Sequence, residues 1–276
     1  MVPLEYLLKF IDEDAPSGDV TSESVIPDVT CRAVIRAEQE GVAAGLLEAA
    51  ALFSHFGVDV QQEARDGETV KTGAVLLSLS GPAKKILLVE RTALNIIGRM
   101  SGIATETRKL VDLVKDENPH CRVAGTRKTC PGLRALDKKA VTLGGGDPHR
   151  SNLSDGVLIK DNHLILVPVE EAITRAKAAS AYRKIEIEVE NAGEALAAAR
   201  AGADILLFDN MAPDTVRKTI RDLEQAGLRD RVTIELSGGI TAETIREYAR
   251  TGADVISLGA LTHTVRNFSV TLEILR

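Results

Sequence analysis

The feature that most constrains the fold is a change of rhythm after about residue 103. Short β-rich runs then alternate with Ala-rich helical stretches. The runs are residues 122–126, 140–145, 156–161, 184–190, 204–209, 232–239 and 254–259. Helical spacing of apolar residues fills 104–117, 133–139, 168–180, 192–201, 213–226 and 241–251. Val/Ile/Leu-rich strands alternating with helices predict a parallel sheet with right-handed crossovers. Seven such strands favour an open (β/α) barrel over a doubly wound sheet. Nearly every strand ends on a polar or glycine residue: Thr126, Lys160, Glu188, Asp209, Ser237 and Gly259. In a barrel these ends converge on one face and build the active site. A doubly wound sheet would instead place a Gly-rich turn after its first strand, and no GxGxxG stands there.

The first hundred residues have a different texture. Residues 4–12 carry apolar side chains at helical spacing, and Pro16-Ser17-Gly18 ends that element. Residues 31–38 alternate as a strand does. Gly45 to Phe56 read as a helix with Gly57 just past its end. Short strands then follow around the turns Asp66-Gly67 and Lys71-Thr72-Gly73. From Lys84 to Met100 a broad apolar surface predicts a helix buried between two layers.

Charge narrows the choice of partner. The chain is −6 over 276 residues, yet residues 121–160 carry eight Lys/Arg against three Asp, a local +5. A small anion bound at one site is therefore expected. The overall acidity argues against a general nucleic-acid binder. Five Phe, three Tyr and no Trp offer few stacking platforms for single strands. Cys31, Cys121 and Cys130 show no CxxC spacing, which suits a reducing cytosol and gives no zinc site. The N-terminus has no apolar h-region, and no apolar run approaches the roughly 18 residues of a membrane span. A cytoplasmic protein with no membrane partner is expected.

Candidate functional residues lie at the strand ends. Thr126-Arg127-Lys128 follows the first barrel strand, where a planar guanidinium and a compact ammonium suit an anion. Three glycines, 144–146, run into Asp147-Pro148-His149-Arg150, letting backbone approach a ligand closely beside two donors. Lys160 ends an apolar strand and points to the mouth. In residues 185–190, I-E-I-E-V-E, one sheet face carries three carboxylates. Ile185, Ile187 and Val189 belong on the helix-packed side, so Glu186, Glu188 and Glu190 point inward. Buried carboxylates need partners, which Lys160 or a metal would supply. Ion pairs closing the barrel bottom fit Glu186 better than Glu188. Asp209 ends the next strand; two inward carboxylates on neighbouring strands suit Mg²⁺ or ribose hydroxyls. Ser237-Gly238-Gly239, with Thr241 expected to start a helix, and the later Gly259 suit a phosphate.

These motifs in this order resemble the quinolinate phosphoribosyltransferase family. The resemblance runs through SGDVTSE (17–23), ERTALNIIGRMSGIAT (90–105), GTRKTCPGLRALDKKAV (125–141), GGGDPHR (144–150), KDNH (160–163), IEIEVEN (185–191), LFDN (207–210), ELSGGI (235–240) and ISLGALTH (256–263). It implies an α/β fold: an N-terminal α/β sandwich domain, residues 1–103 joined by 264–276, and an open seven-stranded barrel over 104–263. It implies phosphoribosyl transfer from phosphoribosyl pyrophosphate to quinolinate with decarboxylation, giving nicotinate mononucleotide, pyrophosphate and CO2, with Mg²⁺ as cofactor. Thr126, Arg127, His149 and Arg150 would bind quinolinate, with Arg91 supplied by a second subunit. Lys128 and Lys160 would contact the pyrophosphate and the quinolinate edge. Glu188 and Asp209 would hold ribose and Mg²⁺; of the three glutamates, the family spacing to LFDN selects Glu188. Ser237, Gly238, Gly239 and Gly259 would take the 5′-phosphate. A homodimer, or a hexamer built as a trimer of dimers, with shared sites is implied.

Two other readings compete. A ModD-like relative would keep the fold in another pathway, but the KDNH motif and the Glu188/Asp209 pair favour the quinolinate enzyme. A non-catalytic phosphate-binding barrel would need the 237–239 cradle, not Arg127, Lys128, Lys160 and Glu188 together.

Overall fold

The computed structural model describes residues 2–275. Its contacts divide the chain into two compact units. One comprises Met1–Arg108, Cys130–Gly145 and Thr264–Arg276; the other comprises Lys109–Thr129 and Gly146–His263. Residues 130–145, expected within the barrel domain, thus group with the first unit.

The first unit contains strands β1 (Thr30–Ala37), β2 (Gly41–Val42), β3 (Asp59–Gln62), β4 (Thr69–Val70) and β5 (Val75–Pro82). The second contains β6 (Arg122–Ala124), β7 (Val157–Ile159), β8 (Ile185–Val189), β9 (Ile205–Asp209), β10 (Thr233–Ser237) and β11 (Val255–Ser257). The last strand, β12 (Val270–Leu275), returns to the first unit and pairs antiparallel with β1. The sheet order there is β12-β1-β5-β3, with β2 and β4 forming a separate ladder. The helix Ala83–Lys115 presents Ile86, Val89, Ala93, Ile97, Met100 and Ala104 to the core at three- and four-residue spacing, all buried.

The helix Arg134–Leu143 corrects one expectation. Residues 140–145, expected as a strand, form the end of this helix and the turn after it. Leu136, Ala140 and Val141 fall on one buried face at helical spacing. Asp137, fully buried, receives a two-pronged bond from Arg99 at 2.7 and 2.9 Å. Lys139 Nζ reaches Glu48 at 2.7 Å and Asp66 at 2.9 Å. Such partners override the strand preference of a short Val-Thr-Leu run.

The second unit is a parallel sheet in the order β6-β11-β10-β9-β8-β7. Both faces of β8 are buried from Ile185 to Ile187, as the inside and outside of a barrel wall require. The seventh place is held by one residue instead of a strand. Asp147 bridges Ala124 in parallel, its N–H donating to Val123 O at 2.8 Å. Asp147 and β7 are the unpaired ends of this array, so the barrel is open. A repeated Gly-Ala-Asp stands before β9 and β11. Asp204 accepts the Ile185 N–H, and Asp254 the Ile234 N–H, each at 2.7 Å, pinning neighbouring strand starts. Among the described residues no helix is long and apolar enough to cross a membrane.

Candidate active site

The C-terminal ends of the parallel strands surround a cavity of about 500 Å³. It gathers Thr126, Arg127, Lys128, His149, Arg150, Lys160, Glu188, Asp209, Ser237, Gly238 and Gly239. Gly259 lies beside it, since a Cβ there would meet Lys128 Cδ at 3.0 Å. Arg91 belongs to the first unit, where it is exposed.

The cations come from loops that the strands launch. After β6 the Thr126 hydroxyl accepts the Lys128 N–H at 3.1 Å, turning the loop back. Thr262 donates to Lys128 O at 2.9 Å. Arg127 Nε is buried with no partner. Arg150 donates to Gly156 O at 3.4 Å, and no carboxylate pairs with either guanidinium among the described residues. Burial, then the charge of Arg127, lowers the pKa of Arg150. Two half-buried guanidiniums that repel each other and have no ion-paired carboxylate form a socket for an external anion.

The acids lie on the neighbouring strands. Lys160 Nζ is 2.6 Å from Glu188 Oε2, the partner expected of an inward lysine. His163 Nδ1 accepts the Lys160 N–H at 2.9 Å and holds that strand end. Asp209 accepts from Asn210 Nδ2 at 2.7 Å. Asn210 adopts φ 53° and packs against Gly238, at φ 93°, where a Cβ would stand 2.3 Å from Asn210 Oδ1. Only glycine fits there, by conformation and by space. The expected helix start at Thr241 is corrected: residues 242–244 form a turn and the helix is Ile245–Ala249. Thr244 Oγ1 accepts the Thr241 N–H and so favours this turn. The cradle is therefore a glycine loop.

Below the mouth, His149 is enclosed by carboxylates. Its Nε2 is 3.3 Å from Glu235 Oε2 and 3.6 Å from Glu186 Oε2. Burial raises the pKa of Glu186. The His149 Nδ1 accepts the Arg150 N–H at 2.8 Å. Both ring nitrogens are thus engaged within the protein. Sequence reasoning passed over Glu235 and Asn210. Glu235 stands two residues ahead of Ser237 on the same strand face, and that spacing was the available signal.

Models of the quinolinate phosphoribosyl transferase N-terminal and C-terminal domains match residues 19–101 and 103–273. The chain belongs to the quinolinate phosphoribosyl transferase family. It is 42% identical over 275 residues to a protein of Methanothermobacter thermautotrophicus named a probable nicotinate-nucleotide pyrophosphorylase (carboxylating), covering 98% of each chain. It is 41% identical to a Bacillus subtilis protein of the same name, over 96% of this chain and 91% of that one. The crystal structure of nicotinate-nucleotide pyrophosphorylase from Ehrlichia chaffeensis superposes with a TM-score of 0.93 at 31% identity, covering 100% of this chain and 99% of that one. Membership in the quinolinate phosphoribosyl transferase family gives the two unpaired guanidiniums and the glycine cradle a common setting.

Proposed function

We propose that the chain transfers a phosphoribosyl group from phosphoribosyl pyrophosphate to quinolinate and releases CO2, forming nicotinate mononucleotide in the cytoplasm. The observation that carries this reading is the pair Arg127 and Arg150 at the barrel mouth, neither guanidinium ion-paired to a carboxylate among the described residues. Quinolinate brings two carboxylates to them, and Thr126 and Lys160 flank its ring. The ribose 5′-phosphate rests on Ser237, Gly238 and Gly239, with Gly259 alongside. Arg91 of a second copy completes the site in a dimer, or in a hexamer built as a trimer of dimers.

Glu188 and Asp209 are hard oxygen donors at the mouth, and two carboxylates with phosphate oxygens and water suit Mg²⁺. They would hold it beside the pyrophosphate, where it neutralises departing negative charge. Lys128 and Lys160 add fixed positive charge at the same place. The ring nitrogen attacks the anomeric carbon as the pyrophosphate bond breaks. Glu188 and Asp209 stabilise the positive sugar and orient its hydroxyls. The C2–carboxylate bond then breaks, its electron pair remaining on C2 beside the pyridinium nitrogen, and C2 takes up a proton. The chain's contribution is positioning and electrostatics.

The deciding assay follows pyrophosphate and nicotinate mononucleotide from quinolinate, phosphoribosyl pyrophosphate and Mg²⁺. Product that requires all three supports the reading. Turnover of nicotinate without turnover of quinolinate overturns it.

A further inference from the structure

Two buried glutamates beneath the mouth take no part in the chemistry above. Glu186 on β8 and Glu235 on β10 are 5% and 3% exposed, and each has one carboxylate oxygen buried without a partner. Their other oxygens face one group, His149 Nε2, at 3.6 and 3.3 Å. A second cavity, about 440 Å³ and lined by Lys184, Ile205, Thr233 and Val255 at the strand starts, lies on the far side of these three residues. His149, Glu186 and Glu235 are therefore the floor of the mouth.

This floor is tied to the anion socket. His149 has φ 55°, rare for a residue with a side chain, and its N–H is held by Asp147 Oδ1 at 2.8 Å. The Arg150 N–H donates to His149 Nδ1 at 2.8 Å, so that nitrogen offers a lone pair. The ring proton then resides on Nε2, facing the glutamates. A continuous link runs from Glu235 through the imidazole to the Arg150 backbone. The same three side chains bring a nitrogen and two oxygens within 4.8 Å of one another, as a metal would require. A proton on Nε2 leaves no lone pair there for a metal.

We propose that Glu186 and Glu235 are positioning residues, which through His149 hold Arg150 beside Arg127 and so set the affinity for the dicarboxylate substrate without touching it. This rests on reading the two arginines as the quinolinate socket. Fixing the base of Arg150 matters because small displacements of a clamp weaken binding steeply. An acceptor opposite Nε2 is what the link needs, so glutamine at position 235 preserves it and alanine does not.

The test combines steady-state kinetics of Glu235→Ala and Glu235→Gln with ¹⁵N-histidine NMR of the unmodified protein. The His149 signals are assigned as those lost in His149→Gln. Glu235→Ala should raise KM for quinolinate by about ten-fold or more, leaving KM for phosphoribosyl pyrophosphate within about two-fold. Glu235→Gln should restore most of the loss. Equal rises in both KM values, or no rise in a variant that melts as the parent does, overturn the proposal. NMR should show Nδ1 unprotonated and a proton on Nε2. Protonation of both nitrogens, or a shift of the His149 signals on adding Zn²⁺ alone, overturns it, and this holds if Glu235→Ala fails to fold. If the parent protein does not turn over quinolinate, the functional reading fails, while NMR still decides whether the link exists.

Discussion

Lys160 Nζ and Glu188 Oε2 stand 2.6 Å apart across neighbouring strands, joining the one cation of β7's end to the one carboxylate of β8 that lines the mouth. Lys160 is 45% exposed along its side chain, so the pair adds little to stability. Lys160→Ala should lower kcat by about 10²-fold, the usual cost of losing one preorganised stabiliser of developing charge. Rapid-quench measurement of pyrophosphate release checks this; an unchanged single-turnover rate contradicts the role.

Arg127→Ala removes a guanidinium whose Nε has no partner in the folded chain. No internal anion is left behind, so folding should be little affected. Charge-assisted bonds are worth about 1.5–3 kcal/mol, so KM for quinolinate should rise roughly 10- to 100-fold. KM for phosphoribosyl pyrophosphate should stay near its original value. Equal effects on both substrates would contradict the clamp.

Gly238→Ala places a Cβ 2.3 Å from Asn210 Oδ1 at φ 93°. Backbone strain of this kind costs about 1–3 kcal/mol, and Asn210 must move. The melting temperature should fall, and binding of phosphoribosyl pyrophosphate should weaken more than binding of quinolinate. Isothermal titration with each substrate separates the two effects.

Arg91 is exposed in its own unit. If a second copy uses it, inactive Arg91→Ala mixed with inactive Lys160→Ala should regain part of the activity. One hybrid site then has both residues intact. No recovery after verified subunit exchange rules out sharing.

Acid sensitivity should trace in part to Glu117. Bonds from Arg250 and then Arg246 lower its pKa from 4.5 to about 2. The folded value is depressed, so the pairing stabilises the fold above pH 4.5 and is lost as pH falls towards 2. Glu117→Gln should lower the melting temperature at neutral pH, and the gap to the parent should close across that acidic window. A gap that persists at the lowest pH would contradict the assignment.

Much of the barrel was legible because Val/Ile/Leu-rich runs alternate with helical stretches, and one strand adds a two-residue period. In 185–189 the Ile/Val face and the Glu face separate as the alternation predicts, and Glu188 meets Lys160 as an inward carboxylate should. Residues 140–145 were misread because β-branched composition is local, whereas the forces on that segment are not. Arg99, Glu48 and Asp66 lie far away in sequence and cannot be paired with Asp137 and Lys139 by inspection. Glu186 was placed at the barrel bottom, but its partners His149 and Glu235 escaped for the same reason. Glu186, Glu235 and His149 meet only because the folded sheet brings β8, β10 and the loop at 149 together, and the histidine's left-handed backbone has no glycine to announce it.

The excursion of residues 130–145 has a consequence for dissecting the gene. This stretch leaves the second unit at Thr129 and rejoins it at Gly146, so both cationic loops, Arg127-Lys128 and His149-Arg150, are spliced to a helix whose core belongs elsewhere. Expressed from residue 104 onward, the barrel would carry Leu136, Ala140 and Val141 with no apolar partner and Asp137 and Lys139 with no counter-charge. Such a fragment should aggregate or stay partly unfolded. The second unit is thus no transplantable module, and exchange of first units between relatives must carry this helix along with them.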